Sequence, residues 1–204
     1  MLKKATVRTV VGKAPAGTLF VASDFVGCGS GESVRKALSR MVASSELEAP
    51  VRGVYRKPKV SSFLGEGVPA RPDEIAATLA RKFGWSVTPC GDTALNRLGL
   101  DTQVPVTYEY VSDGPYRTYK YGNYEIVFRH TANRDLSGMS PSTAIVVQAL
   151  KALGRDRVDD EALDVIASRF DGGQLERMRE ESSIATSWVR DAIAKMAEGK
   201  VAHA

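Results

Sequence analysis

Cysteine and histidine are scarce, with two of each in 204 residues. Cys28 and Cys90 build no disulfide framework and fit free thiols in a reducing cytoplasm. Two Cys and two His without ligand spacing make no zinc site. His130 and His203 also give Cys28 no neighbouring base with which to act as a nucleophile. No apolar run approaches the roughly 18 residues of a membrane helix. The N-terminus, Met1 to Arg8, lacks the apolar stretch and cleavage site of a signal peptide. Gly27-Cys-Gly-Ser-Gly31 precedes a helix but lacks the Gly-Lys-Ser/Thr ending of a phosphate loop, and no βαβ unit surrounds it. No carboxylate cluster stands out to hold Mg²⁺. The sequence therefore points away from an enzyme, and it calls for no cofactor and no metal.

What is present is a core and an uneven charge. Hydrophobic residues make up 43% and charged residues 25%, which excludes the disordered and disulfide-scaffold classes and allows one or two domains. Residues 1–60 hold eleven Lys/Arg against four Asp/Glu, a net +7, while residues 61–204 hold seventeen against twenty, a net −3. A basic N-terminal third on a mildly acidic remainder suggests a nucleic-acid module joined to something else.

The hydrophobic spacing of that third gives an ordered set of elements. Val7, Val10 and Val11 form a short helical stripe ended near Gly12 and Pro15. Thr18 to Val21 reads as a strand, Ala22 to Val26 as a short helix with Ser23 as N-cap, and Gly27 to Gly31 as a turn. Residues 32–44 form a strong helix, with Val34, Ala37, Leu38, Met41 and Val42 on one face. Leu47 to Val51 and Val54 to Arg56 then read as a hairpin around Arg52-Gly53. Helix, strand, helix, turn, helix, hairpin is the order of a winged helix-turn-helix. Val7, Val10, Leu19, Phe20, Phe25, Val34, Leu38, Met41, Leu47 and Tyr55 are its candidate core.

At about 100° per residue, Glu32, Lys36 and Arg40 lie opposite the apolar stripe of the 32–44 helix, with Ser33 beside them and Arg35 and Ser39 on the flank. A recognition helix needs this division: one side packs on neighbours, the other enters a major groove about 12 Å wide. Lys36 and Arg40 are candidates to read or anchor there, supported by Arg35, Ser33 and Ser30 of the turn. Gly53 allows a tight hairpin tip, and Arg52, Tyr55, Arg56, Lys57 and Lys59 supply donors for a wing that tracks phosphates.

Three blocks, Gly17 to Phe25, Ser33 to Met41 and Arg52 to Pro58, resemble the N-terminal winged helix of AbiEi-type antitoxins. Pro89 to Pro105 resembles that family's middle segment, where a small-residue turn and an Ala/Asn helix precede a β-rich region. The resemblance covers roughly residues 5–130. It implies a transcriptional repressor of its own promoter, paired with a nucleotidyltransferase-like toxin in a toxin–antitoxin or phage-defence system. The last 60 residues match no motif.

The reading of the whole chain is α+β. Residues 1–60 are expected to be a winged helix-turn-helix, followed by a linker from Val60 to Pro72. Residues 70–204 are expected to form a second domain that binds the partner: a helix at 73–83, an extended 85–89, a short helix from Asp92 to Leu98, a small antiparallel sheet of three strands within 104–130, and helices from Pro141 onward broken at Gly154, near Val158 and at Asp171 to Gly173. The expected function is sequence-specific binding of double-stranded DNA. The alternative is a protein-interaction module whose winged helix binds a protein and has lost DNA.

Overall fold

The Thr6 side chain accepts the Thr9 amide and starts α1 (Val7–Lys13), which buries Val7 and Val11. β1 (Leu19–Phe20) follows, then a short 3₁₀ helix, Ala22–Phe25. Val21, not Ser23, holds the cap position of that helix: the Asp24 carboxylate reaches back to accept the Val21 amide at 2.8 Å. Asp24 is longer by one carbon than Ser and sits three residues in, which is the geometry such a return bond requires. α2 (Gly31–Ala43) is capped by Ser30 and buries Val34, Leu38 and Met41. These side chains join Val7, Val11, Phe20, Phe25 and Leu47 in one apolar cluster.

β2 (Glu48–Val51) and β3 (Val54–Arg56) complete a three-stranded sheet in the order β1-β3-β2, with β3 antiparallel to both neighbours. Side chains alternate across a strand. Tyr55 accordingly packs on the α1/α2 cluster, while Val54 and Arg56 are buried on the other face. That second face is covered by α3 (Pro72–Phe83), which packs against β1 and β3 and buries Ile75, Ala76, Leu79 and Ala80. Arg81 near its end pairs with Asp24.

This packing corrects the expected boundary. The computed structural model describes residues 5–131 and 138–201. It divides into one compact unit that runs to Gly84 and includes Lys120–Gly122, and a second made of Trp85–Tyr119 and the chain from Asn123 onward. The N-terminal unit does not end at residue 60, because a sheet with two apolar faces needs a cover on both. Nor is the stretch after Val60 featureless: Val60 bridges Gly67, and the Ser61 hydroxyl accepts the amides of Phe63 and Leu64.

From Trp85 the chain forms β4 (Val87–Pro89), α4 (Gly91–Leu98), β5 (Thr107–Ser112), β6 (Arg117–Tyr121) and β7 (Tyr124–His130), all in the second unit except Lys120 and Tyr121 at the end of β6, which belong to the first. The sheet has four strands in the order β4-β5-β7-β6. It is mixed rather than antiparallel: β4 runs antiparallel to β5, but β5 and β7 are parallel, with Thr107 opposite Glu125 and Ser112 opposite His130. After β5 the chain skips a position to lay β6 at the edge, then returns as β7 into the gap. Alternation within single strands carries no record of that order. α5 (Pro141–Leu153) has every residue from Thr143 to Leu150 buried. A helix apolar on all sides belongs at the centre, and α4, α6 (Asp160–Ala167), α7 (Gly172–Glu181) and α8 (Ser187–Val201) contribute the cluster around it. Glu181 fixes the start of α5 by accepting the Ser140 amide and the Thr143 hydroxyl.

Candidate nucleic-acid interface

The turn before α2 is set by its glycines. Gly29 has φ +152°, and a Cβ there would stand 2.5 Å from the Ser33 hydroxyl. Ser30 and Ser33 lock the helix start together: the Ser30 hydroxyl accepts the Ser33 amide at 3.2 Å, and the Ser33 hydroxyl donates to the Ser30 carbonyl at 2.8 Å. Both side chains are exposed, but their hydroxyls are already engaged in the cap.

Beyond that cap, α2 presents Glu32, Arg35, Lys36, Ser39 and Arg40 to solvent, while Val34, Leu38 and Met41 point inward. Lys36 pairs with Glu32 at 2.7 Å, four residues earlier, and both are well exposed. Such a surface pair is worth about 0.3–0.5 kcal/mol, so it yields readily to a stronger anionic partner. Arg35 and Arg40 have no side-chain hydrogen bond or ion pair among the described residues. The helix therefore offers three cationic donors on the face away from its core.

The hairpin divides the expected wing residues into two sets. Arg52 is exposed at the tip beside Gly53, whose φ of +80° suits a residue without a Cβ, and Lys59 is exposed at the far end. Arg56 is not available. Its side chain is 3% exposed, donates to the Val68 carbonyl at 2.6 Å and pairs with Glu48 at 3.1 Å. Lys57 is also committed: its ammonium donates to the carbonyls of Gly12 at 3.0 Å and Ala14 at 2.7 Å, at the end of α1. A cation there satisfies orphan carbonyls and complements the helix dipole. The expectation that Arg56 and Lys57 grip phosphates is corrected. Arg56 follows the buried register of the central strand, and Lys57 caps a helix. Tyr55 is half-buried against the core.

Two bases outside residues 1–60 stand beside the hairpin. The Lys82 ammonium, in the last turn of α3, donates to the Arg52 carbonyl at 3.2 Å. A Cβ on Gly53 would collide with it. Lys120 lines, with Ser39 and Val42 of α2 and with Arg52 and Tyr55, a cleft of about 520 Å³. The sequence held no local sign of either role. Arg81-Lys82 is an ordinary basic helix end, and Lys120 lies in a strand more than sixty residues from the hairpin.

Burial, with the Glu109 charge, pushes the Cys90 thiol up to about 11. Among the described residues no group of three His, Cys, Asp or Glu could hold a metal ion. No described helix is long and apolar enough to cross a membrane.

These features define a two-unit α+β protein with a basic helix face and hairpin on its N-terminal unit. The chain belongs to DUF6088, a family of unknown function, which residues 6–177 match. No curated protein matches it. It is similar to the crystal structure of the RV2827C protein from Mycobacterium tuberculosis, with 16% identity and a TM-score of 0.45 over 97% of this chain and 79% of that one.

Proposed function

We propose that the N-terminal unit is a winged helix-turn-helix that binds double-stranded DNA in the cytoplasm, with α2 in the major groove and the β2–β3 hairpin as the wing. The observation that carries this reading is the division of α2: Arg35, Lys36 and Arg40 face solvent while Val34, Leu38 and Met41 anchor the helix on its neighbours. Arg forks onto guanine O6 and N7, and Lys reaches guanine or phosphate. Arg52 and Lys59 extend the positive surface along the hairpin.

On this reading the protein represses its own promoter by occupancy, with no chemical step and no cofactor. The resemblance to AbiEi-type antitoxins supports a nucleotidyltransferase-like toxin as the partner of the second unit. The test is a titration of labelled duplex from the region upstream of its own gene against a shuffled duplex of equal length. Tighter binding to the upstream duplex is expected. Equal, weak binding to both would leave a non-specific DNA binder, and binding to neither would favour the protein-interaction alternative.

A further inference from the structure

The cleft beside the hairpin has the makings of a backbone-binding site. Its walls come from α2 through Ser39 and Val42 and from the hairpin through Arg52 and Tyr55, and Lys120 stands at its edge. No carboxylate lines it among the described residues. Lys82 holds the carbonyl of Arg52 and so fixes where the tip, and its cation, stand. The cleft thus lies between the solvent-facing side of α2 and the hairpin tip.

We propose that the cleft seats the phosphodiester backbone of duplex DNA, with Arg52 and Lys120 as the cations facing it and Lys82 as the residue that positions the hairpin tip. This rests on the reading of α2 as a DNA-binding helix. It extends the interface beyond that helix and hairpin to α3 and to the end of β6, segments that lie outside the basic N-terminal third. Phosphate contacts position a protein on DNA without reading sequence, so the cleft contributes affinity to any duplex.

The experiment measures the affinity of the full chain for a random-sequence duplex across a salt series. Lys120→Ala is the main variant, since Lys120 is exposed and its removal leaves the core intact. The slope of log K against log salt is expected to flatten by about 0.9, and affinity to fall roughly 5- to 10-fold near 0.1 M salt. The loss should be equal on the upstream duplex. Lys82→Ala should flatten the slope as well, by freeing the tip. Lys151→Ala, an exposed base in the second unit, should leave the slope unchanged. If the wild-type chain binds duplex and Lys120→Ala keeps its slope, the cleft proposal fails while the DNA reading stands. An equal fall with Lys151→Ala would also overturn it, since the effect would then be one of overall charge. A wild-type chain that binds no duplex overturns both.

Discussion

Replacing Arg56 separates a structural cation from a DNA-binding one. Its guanidinium is 3% exposed and holds the Val68 carbonyl at 2.6 Å and Glu48 at 3.1 Å, while Nε has no hydrogen-bond partner among the described residues. Arg56→Met keeps most of the aliphatic stem and removes the charged head. Without the bond to Val68 the fold is weaker by about 1.5–3 kcal/mol, and the pair with Glu48, a carboxylate about half exposed, adds about 1 kcal/mol or less. Removing the unpartnered buried Nε offsets about 1–3 kcal/mol of that. The net expectation is a destabilisation of about 0–2 kcal/mol for Arg56→Met, and about 2–4 kcal/mol for Arg56→Ala, which also leaves a cavity. Urea unfolding of the three chains measures both values. Binding to random duplex across a salt series should give the same slope for folded Arg56→Met as for wild type. A slope flattened by about 0.9 with stability unchanged would put this guanidinium on a phosphate and refute its placement inside the sheet.

Lys36→Ala combined with Arg40→Ala should weaken binding to the upstream duplex far more than to shuffled duplex, by about 1–3 kcal/mol for each base that is no longer read. An equal fall on both would mean that these side chains touch only phosphates. A fragment ending at residue 60 should lack cooperative unfolding by circular dichroism, because Val54 and Arg56 would be without the cover of α3; a sharp transition in that fragment would contradict the two-faced sheet. Cys90 keeps its proton in the folded chain up to about 11, whereas an unfolded thiol loses it near 8.5. Its contribution is therefore complete below about pH 8.5 and is lost as pH rises toward 11, by at most about 3 kcal/mol. Cys90→Ala should flatten the decline in unfolding free energy between pH 8 and 10.5, and an identical decline in both chains would count against the buried thiol.

Local pattern was enough for most helices, but it gave no sign of the break at Ser182–Ile184 between α7 and α8. The apolar spacing of residues 34–42 fixed which face of α2 is buried, and Gly154, Val158 and Asp171 marked where the later helices break. The hairpin was legible from Arg52-Gly53 between two short β-prone runs. Arg56 and Lys57 were not, because their environment is made by distant segments: α3 turns the far face of β3 into an interior, and the end of α1 brings two carbonyls to Lys57. The parallel pairing of β5 and β7 was hidden for the same reason, since strand order is a property of the closed sheet. Lys82 and Lys120 likewise reach the hairpin only through tertiary packing. Position along the chain therefore indicated the sign of the surface, and packing decided which cations remain free to meet a partner.

Whether α2 enters the major groove is read out by methylation protection of guanine N7 on the upstream duplex, since N7 lies on the major-groove edge. With the wild-type chain bound, a short cluster of guanines should become unreactive at N7, and the Lys36→Ala, Arg40→Ala chain, at a concentration that restores occupancy, should leave them reactive. Full occupancy by the wild-type chain with every guanine N7 still reactive would place α2 outside the major groove.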